Sequence, residues 1–356
     1  MGLEYLIKEA LSISSSDNYS RRVNIKIVGV GGAGCNSVRR IHRFGLADYA
    51  HLIAVNTDRT QIENLGVGTR ILIGEKITEG YGTGGKIEVG ERCIVDPTAT
   101  SILKKYLDGA DITFVLAGLG GGTGGGAGPH IAKLAKSLGS LVVSIVTMPF
   151  KNEGQRRWNN ALIALEKFQS YSNTVIVLDN NALLKIVPNL PLENAFTVMD
   201  HLTSKIIKNI VETIALPAMI NIDYADLRYI MRHGGTSTVL LGEGGVDNLN
   251  EVVTTTLNNP LMDIDYRGAD GALIQITGGP TLTVGMVDKV VCGILDHLDN
   301  CTNVKWGARI IDSYDEKIEV TAILTGVHTP YVSEYGSVEK QIAIRSNLIY
   351  GIPLIQ

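Results

Sequence analysis

Short runs of valine, isoleucine and leucine recur along the first half of this chain, and segments with helical spacing of apolar positions lie between several of them. From Val23 to about Leu178 the runs VNIKIVGV, HLIAVN, ITFVLAG, LVVSIVT and TVIVLD predict buried strands. Stretches such as CNSVRRIHRFG, PHIAKLAKSLG and RRWNNALIALEKF predict the helices. Nearly continuous apolar strands alternating with helices predict a parallel sheet covered on both faces, and such sheets bind ligands at the carboxyl ends of their strands. From about Pro191 to Ala215, residues Phe196, Met199, Leu202, Ile206, Ile210 and Ile214 recur at spacings of three and four, which predicts one long helix with a single apolar face. Pro191 suits a first helical position, and Leu216-Pro217 ends the helix. Beyond it the character changes. TSTVLLGEGG, GALIQITGG, NVKWGARIID and EKIEVTAILTGV read as strands, interleaved with helices near DNLNEVVTTTLNN and TLTVGMVDKVVCGILDHL. The expected fold is α/β: a Rossmann-like domain (23–190), a long central helix (191–217) and a smaller α+β domain (218–330). An N-terminal helix and linker (1–22) precede them and a tail (331–356) follows.

Composition narrows the function. With 356 residues, 45% of them hydrophobic, the chain can bury more than one core. A formal net charge of -4 gives no global attraction to nucleic acid or anionic lipid, so nucleic acid is not an expected partner. No apolar run approaches roughly 18 residues, and direct membrane insertion is not expected. Glu4, Lys8 and Glu9 interrupt the N-terminal stretch, which reads as an amphipathic helix rather than a signal peptide. Leu6 argues against myristoylation of Gly2. The four scattered cysteines form no CxxC pair, which fits a reducing cytoplasm without disulfides or zinc.

The 40 glycines cluster at the ends of predicted strands. Gly29-Val30-Gly31-Gly32-Ala33-Gly34 follows a strand, opens a helix and matches GxGxxG. Asp58 follows the next strand near the place of a ribose-binding acid. That loop alone fits an NAD-dependent oxidoreductase or a bare strand–helix turn as well as another nucleotide. The second loop decides. AGLGGGTGGGAGP, from Ala117 to Pro129, also joins a strand to a helix, and its backbone donors can wrap a phosphate chain. It lacks GKS or GKT, so it is not a Walker A loop. Two phosphate cradles suit a nucleoside di- or triphosphate held between them, not a dinucleotide.

GGGTGGG is similar to the GGGTG-(Ser/Thr/Ala)-Gly signature of the tubulin and FtsZ superfamily. The resemblance runs from about Val23 to about Val327 and includes GVGGAGCN, VNTD, GTGGKIEVG, PFKNEGQRR, NAFTVMD, NIDYADL and QITGG, in the order the FtsZ family shows. Gly125 departs from it by standing where the family has Ser, Thr or Ala, a change expected to weaken phosphate contact or loosen the loop. Asp179 departs too, replacing the usual Pro. VLDNNALLK and GVHTPYV look less like FtsZ and somewhat like archaeal tubulin-like proteins.

The resemblance implies a GTPase that binds GTP and GDP, with Mg2+ held mainly by phosphates and water. Its expected nucleotide contacts are Gly31, Gly32, Ala33, Gly34 and Asn36 in the first loop and Asn56 and Asp58 in VNTD. Thr83, Gly84 and Gly85 fall near the γ-phosphate, and Gly120, Gly121, Gly122, Thr123, Gly124, Gly125 and Gly126 form the second loop. Glu153 and Arg157 are placed at ribose and nearby phosphate; their alternative reading is an ordinary surface ion pair, worth little. Asn180 aligns with a base-contacting residue. Phe196 is placed against guanine and Asp200 at its edge. The chemistry is consistent: guanine offers two adjacent donors, N1–H and the 2-amino group, which one carboxylate accepts together, whereas adenine presents an acceptor.

Asn221, Asp223 and Asp226 of NIDYAD are the expected catalytic residues, an amide and two carboxylates able to orient a water. Their alternative reading is a polar loop with a helix N-cap at Asp226. Asp200 and Asn221 are separated mostly by helix, on the order of 30 Å at 1.5 Å per residue. The acids are therefore expected to act on a neighbour's GTP in a head-to-tail homopolymer. The resemblance further implies cell division at a cytoplasmic division site. A cell-shape role and a non-hydrolysing scaffold are the alternatives. The apolar end NLIYGIPLIQ is expected to be either a docked strand or a motif for a membrane-tethering or regulatory protein.

Overall fold

A computed structural model describes residues 23–186, 189, 191–232, 235–258, 265–299, 301–327 and 331. The expected N-terminal helix (1–22) and the closing NLIYGIPLIQ lie outside the described residues. The first half alternates strands β1 (Ile25–Val30), β2 (Ala50–Asn56), β3 (Thr69–Leu72), β4 (Ile112–Gly118), β5 (Leu141–Met148) and β6 (Thr174–Asp179) with helices. The helices are α1 (Gly31–Arg43), α2 (Arg59–Glu63), α3 (Glu75–Thr78), α4 (Ile87–Val95), α5 (Pro97–Leu107), α6 (Gly122–Ser137), α7 (Gln155–Tyr171) and α8 (Asn180–Ile186). The long helix α9 (Leu192–Ala215) and α10 (Tyr224–Arg232) follow. The remaining elements are β7 (Thr236–Gly245), α11 (Leu249–Leu257), β8 (Gly271–Gly278), α12 (Val284–Leu295), β9 (Asn303–Ile310) and β10 (Lys317–Val327).

Among the described residues, ten strands form one sheet in the order β3-β2-β1-β4-β5-β6-β7-β10-β8-β9. Strands β1 to β6 are parallel, and β10 runs antiparallel to both its neighbours. Within the sheet, and among the described residues, the strands of the two halves join through two residue pairs, Val175 with Thr236 and Ile176 with Ser237. One apolar core lies on each face of the first six strands and a third lies under β8 and β10.

Helix α9 packs between the halves. Met199, Leu202, Ile206 and Ile210 are buried as the spacing predicts, joined by Ile207 and Val211. Each such side chain contributes roughly 1.5–3 kcal/mol by leaving water. Ile214 is only partly buried and Phe196 is exposed, so the stripe stops short at both ends. Pro191 is the N-cap rather than the first helical residue, and extended Leu216 ends the helix before Pro217. The far end of α9 is pinned to the C-terminal half: Arg309 donates to Glu212 at 2.9 Å, and Asn209 donates to the Thr321 hydroxyl at 2.7 Å.

Candidate functional site

The order of strand addition reverses between β1 and β4, whose carboxyl ends lie side by side with Val30 opposite Ala117. Both glycine loops leave the sheet at this switch point, where parallel sheets open a crevice. A cavity of about 670 Å³ lies above them. Helix α1 starts at Gly31 and α6 at Gly122. The amides of Gly31, Gly32 and Ala33, and of Gly122, Thr123 and Gly124, therefore sit in first turns without intrahelical acceptors. Two positive helix ends converging on one cavity suit a polyphosphate. Gly31 has φ 72°, and a Cβ there would come within 3.0 Å of the Gly124 nitrogen, so glycine is needed for the loops to touch.

Asn56, Asp58, Thr83, Gly84, Gly85, Gly120, Gly121, Glu153, Arg157, Asn180, Phe196 and Asp200 also line the cavity. The remaining expected contacts do not. Gly34 is packed against β4, where a Cβ would lie 2.3 Å from the Leu116 carbonyl oxygen. The Gly125 amide donates to the Gly121 carbonyl at 3.2 Å, and a Cβ at Gly125 would face Ala164 of α7 at 3.2 Å. Gly126 faces the backbone of α4, with Ile87 O 2.3 Å from a Cβ position. These three glycines let elements approach each other. The side chain missing at Gly125 is thus missing from a helix contact, not from the cavity. Asn36 lines an adjoining cleft with Phe196 and Asp200 and accepts a hydrogen bond from Arg39 at 2.9 Å.

At the base end, Phe196 is 43% exposed and braced edge-on by Phe150 at 5.6 Å, which leaves a ring face for stacking. Asp200 accepts from the Ser37 hydroxyl at 3.3 Å. Burial pushes its carboxyl above the usual aspartate range, against the pull of Arg40, the Ser37 hydrogen bond and Arg39. Two donors from a guanine edge would offset that desolvation. Asn180 is buried, and its Oδ1 has no partner among the described residues. An acceptor so placed at a polar cavity suits a donor from a ligand or a water.

Around the glycine loops the side chains mostly brace one another. Asn56 Oδ1 accepts the amides of Thr57 and Asp58 at 2.8 and 3.2 Å. Asp58 caps α2 by accepting the Gln61 amide at 3.0 Å. The hydroxyls of Thr123 and Thr57 pair at 2.7 Å. Glu153 accepts the Phe150 amide at 2.8 Å and pairs with Arg157. Sequence reasoning missed several lining residues, among them the polar side chains Gln61, Thr147, Arg156 and Asn160. Asn160 donates to the carbonyls of Gly85 at 3.0 Å and Gly120 at 3.2 Å, tying the 83–85 loop to the second glycine loop. Nothing local marks it out: it is one polar position on a helix.

The expected catalytic residues lie elsewhere. The Tyr224 hydroxyl donates to the Asp111 carbonyl at 2.8 Å, just before the amino end of β4. That is about 23 Å of strand from Gly118 at the other end, at about 3.3 Å per residue. Asp223, not Asp226, is the N-cap of α10: it accepts the Asp226 amide at 2.7 Å, and Asp226 accepts the Asp223 amide at 3.4 Å. Asp226 also pairs with Lys305 of β9 at 2.7 Å, a bond that raises the lysine's pKa. Asn221 closes its turn by accepting the Ala218 amide at 2.7 Å. Asn221 and Asp223 are exposed. No residue of this cluster lines the glycine-loop cavity.

Residues 24–188 match the model of the tubulin/FtsZ family GTPase domain, and residues 235–328 that of the FtsZ family C-terminal domain. The chain is 44% identical to a cell division protein FtsZ 2 of Haloferax volcanii, over 90% of this chain and 80% of that one. It is 43% identical to a cell division protein FtsZ 2 of Methanocaldococcus jannaschii, over 92% and 87%. Among solved structures, an empty FtsZ dimer from M. jannaschii superposes with a TM-score of 0.79 at 35% identity, covering 92% of this chain and 93% of that one. A protofilament of CetZ2 from Haloferax volcanii with GTPγS bound has the same TM-score at 23% identity, covering 91% and 100%, a likeness of fold.

Proposed function

The chain belongs to the tubulin/FtsZ family of GTPases, and from that premise we propose that it is an FtsZ-type cell-division protein whose GTP is hydrolysed between stacked subunits. GTP occupies the cavity above β1 and β4. Its phosphates lie on the first turns of α1 and α6, and its guanine lies between Phe196, Asp200 and Asn180. Mg2+, when bound, neutralises phosphate charge and is held mainly by the phosphates and water. Among the described residues no three His, Cys, Asp or Glu side chains gather into a cage for it.

The observation that carries the reading is polarity. The cavity opens at the carboxyl ends of the strands, while Asn221, Asp223 and Asp226 stand at their amino ends. A subunit cannot bring its acids to its own γ-phosphate, but its lower pole can cap the upper pole of the next. That contact joins two different surfaces and propagates as a filament. In the joint, Asp223 orients a water whose oxygen bonds to the γ-phosphorus as the bond to the β–γ bridging oxygen breaks. Asp226, engaged by Lys305 and the Asp223 amide, holds the loop in shape. GDP then occupies a weakened joint.

Phosphate release measured with light scattering across protein concentrations tests this. The rate per subunit should rise steeply at the assembly threshold. A rate that stays constant far below the threshold would overturn the trans arrangement. An Asp223→Ala variant as fast as wild type would remove Asp223 from the chemistry, and a wild type that assembles without releasing phosphate would leave a scaffold.

The dinucleotide reading of the first loop gives way to the family assignment. GTP against NADH in a binding assay checks this cheaply. We place the protein in the cytoplasm at the division site, with residues 331–356 as the segment for a tethering or regulatory partner. A tagged copy that forms no mid-cell ring would favour the cell-shape alternative.

A further inference from the structure

Two stretches of this chain stand apart from the FtsZ pattern, Asp179 in VLDNN and the segment GVHTPYV, and the structure joins them. Strand β10 ends with Val327 beside Thr236, which in turn pairs with Val175 near the amino end of β6. Four residues later Tyr331 stands at the opposite end of β6. Its hydroxyl donates to Asp179 Oδ2 at 2.6 Å, and its ring packs edge-on against Trp158 with centroids 6.0 Å apart. Tyr331 and Trp158 are both buried.

The other oxygen of Asp179 is committed to the nucleotide side. Oδ1 accepts the Asn181 amide at 2.8 Å and the Asn181 side chain at 2.7 Å. Asn181 in turn donates to the Pro149 carbonyl at 3.1 Å and accepts the Lys151 amide at 2.8 Å. It thereby fixes both ends of the 149–151 segment. Pro149 lines the cavity, and Phe150 braces the stacking ring of Phe196. Asn180, with its orphaned Oδ1, lies between Asp179 and Asn181.

We propose that Tyr331 is a positioning residue for the base end of the nucleotide site. Its hydroxyl holds Asp179, Asp179 holds Asn181, and Asn181 sets the brace behind Phe196 and the placement of Asn180. A hydrogen bond to a carboxylate is among the stronger kinds, and with Asp179 half-buried, removing the donor loosens the hold on that oxygen. The root of the C-terminal tail is therefore coupled to nucleotide retention, so that a partner pulling on residues beyond 331 would speed release.

This inference rests on the cavity being the GTP site, and the test separates the two. The full-length chain carries Tyr331→Phe, which keeps the ring and removes the hydroxyl, or Asp179→Ala, or both. Release of a fluorescent GDP is followed by stopped flow, alongside steady-state GTP turnover and thermal unfolding. Tyr331→Phe should speed release by about tenfold, equivalent to about 1.4 kcal/mol, and raise KM with kcat of the assembled protein unchanged. In the Asp179→Ala background it should add nothing, because both act through one chain of bonds. Release unchanged by Tyr331→Phe, with only a lower unfolding temperature, would make the bond merely structural and overturn the proposal. Additive effects of the two substitutions would also overturn it. Failure of the wild type to bind GDP or GTP would instead remove the site reading itself.

Discussion

Gly125 and Gly126 are neighbours in one helix, lie in one glycine run and look interchangeable by letter, yet their substitution by alanine should have opposite outcomes. Both sit inside α6, so each alanine gains about 1 kcal/mol of helix propensity and the same reduction of unfolded-chain freedom. Those gains cancel in the comparison and leave packing alone. At Gly125 the new Cβ meets Ala164 Cβ at 3.2 Å and Ile87 Cγ1 at 3.7 Å, a contact relieved by a shift of a few tenths of an ångström. At Gly126 it meets Ile87 O at 2.3 Å, Glu91 N at 2.9 Å and Gly90 Cα at 3.0 Å, all backbone or Cα atoms of α4. Relief there requires the two helices to part by about 1 Å, and overpacking of that kind costs about 1–3 kcal/mol or more. Gly125→Ala should therefore leave stability unchanged or raise it by up to about 1 kcal/mol, while Gly126→Ala lowers it by about 2 kcal/mol. Urea unfolding of the nucleotide-free chain measures both, and equilibrium GTP binding by Gly125→Ala should stay within about twofold of wild type because the substituted face points at α7. Equal destabilisation by the two substitutions, or a large loss of GTP affinity in Gly125→Ala, would refute this division of the loop into phosphate-facing and packing glycines.

Other outcomes follow from the same geometry. Asp200→Asn should weaken GTP binding by about 10- to 100-fold, the worth of a charge-assisted pair, and narrow the preference over ATP; titrations with both nucleotides check it. Because burial raises the Asp200 pKa, its carboxylate is lost on acidification at a higher pH than an ordinary aspartate. Protonation replaces an acceptor with a donor facing guanine N1–H, so GTP affinity should fall as pH drops through that raised value, and the step should vanish in Asp200→Asn. Asn160→Ala removes two hydrogen bonds worth about 1 kcal/mol each. It should raise KM for GTP severalfold by loosening the 83–85 loop, with the fold intact by circular dichroism.

The parts of the fold that were legible are those with a local signature. Strands β1, β2, β4, β5 and β6 announce themselves as Val/Ile runs because both faces are covered. Strand β3 does not: Thr69–Leu72 is a four-residue edge strand paired only to β2, with Arg70 pointing outward. Helices α4 and α5 were not read either, since Gly90 and the Pro97 start interrupt any clean periodicity. The union of both halves in one sheet rests on two residue pairs formed across about 60 positions of sequence, and parallel pairing leaves no short-range mark. At the site, the glycine loops and the Phe196–Asp200 face could be found from motif and spacing. The packing roles of Gly34, Gly125 and Gly126 could not, because a glycine that admits a phosphate and one that admits a helix carry the same letter. Asp223 as the cap of α10 was hidden for a related reason: Asp223 and Asp226 cap reciprocally, and sequence alone does not say which lies outside the helix.

If one subunit's acids serve the nucleotide of another, mixing two complementary variants shows it most directly. Asp223→Ala keeps a sound cavity and lacks the water-orienting carboxylate; Asp200→Ala keeps the acids and loses the guanine contact. At a GTP concentration too low for the second variant to bind, each alone should hydrolyse almost nothing, and mixtures that sedimentation shows to co-assemble should recover activity that peaks at intermediate ratios. A co-assembled mixture whose rate never exceeds the sum of its separate components would contradict the account.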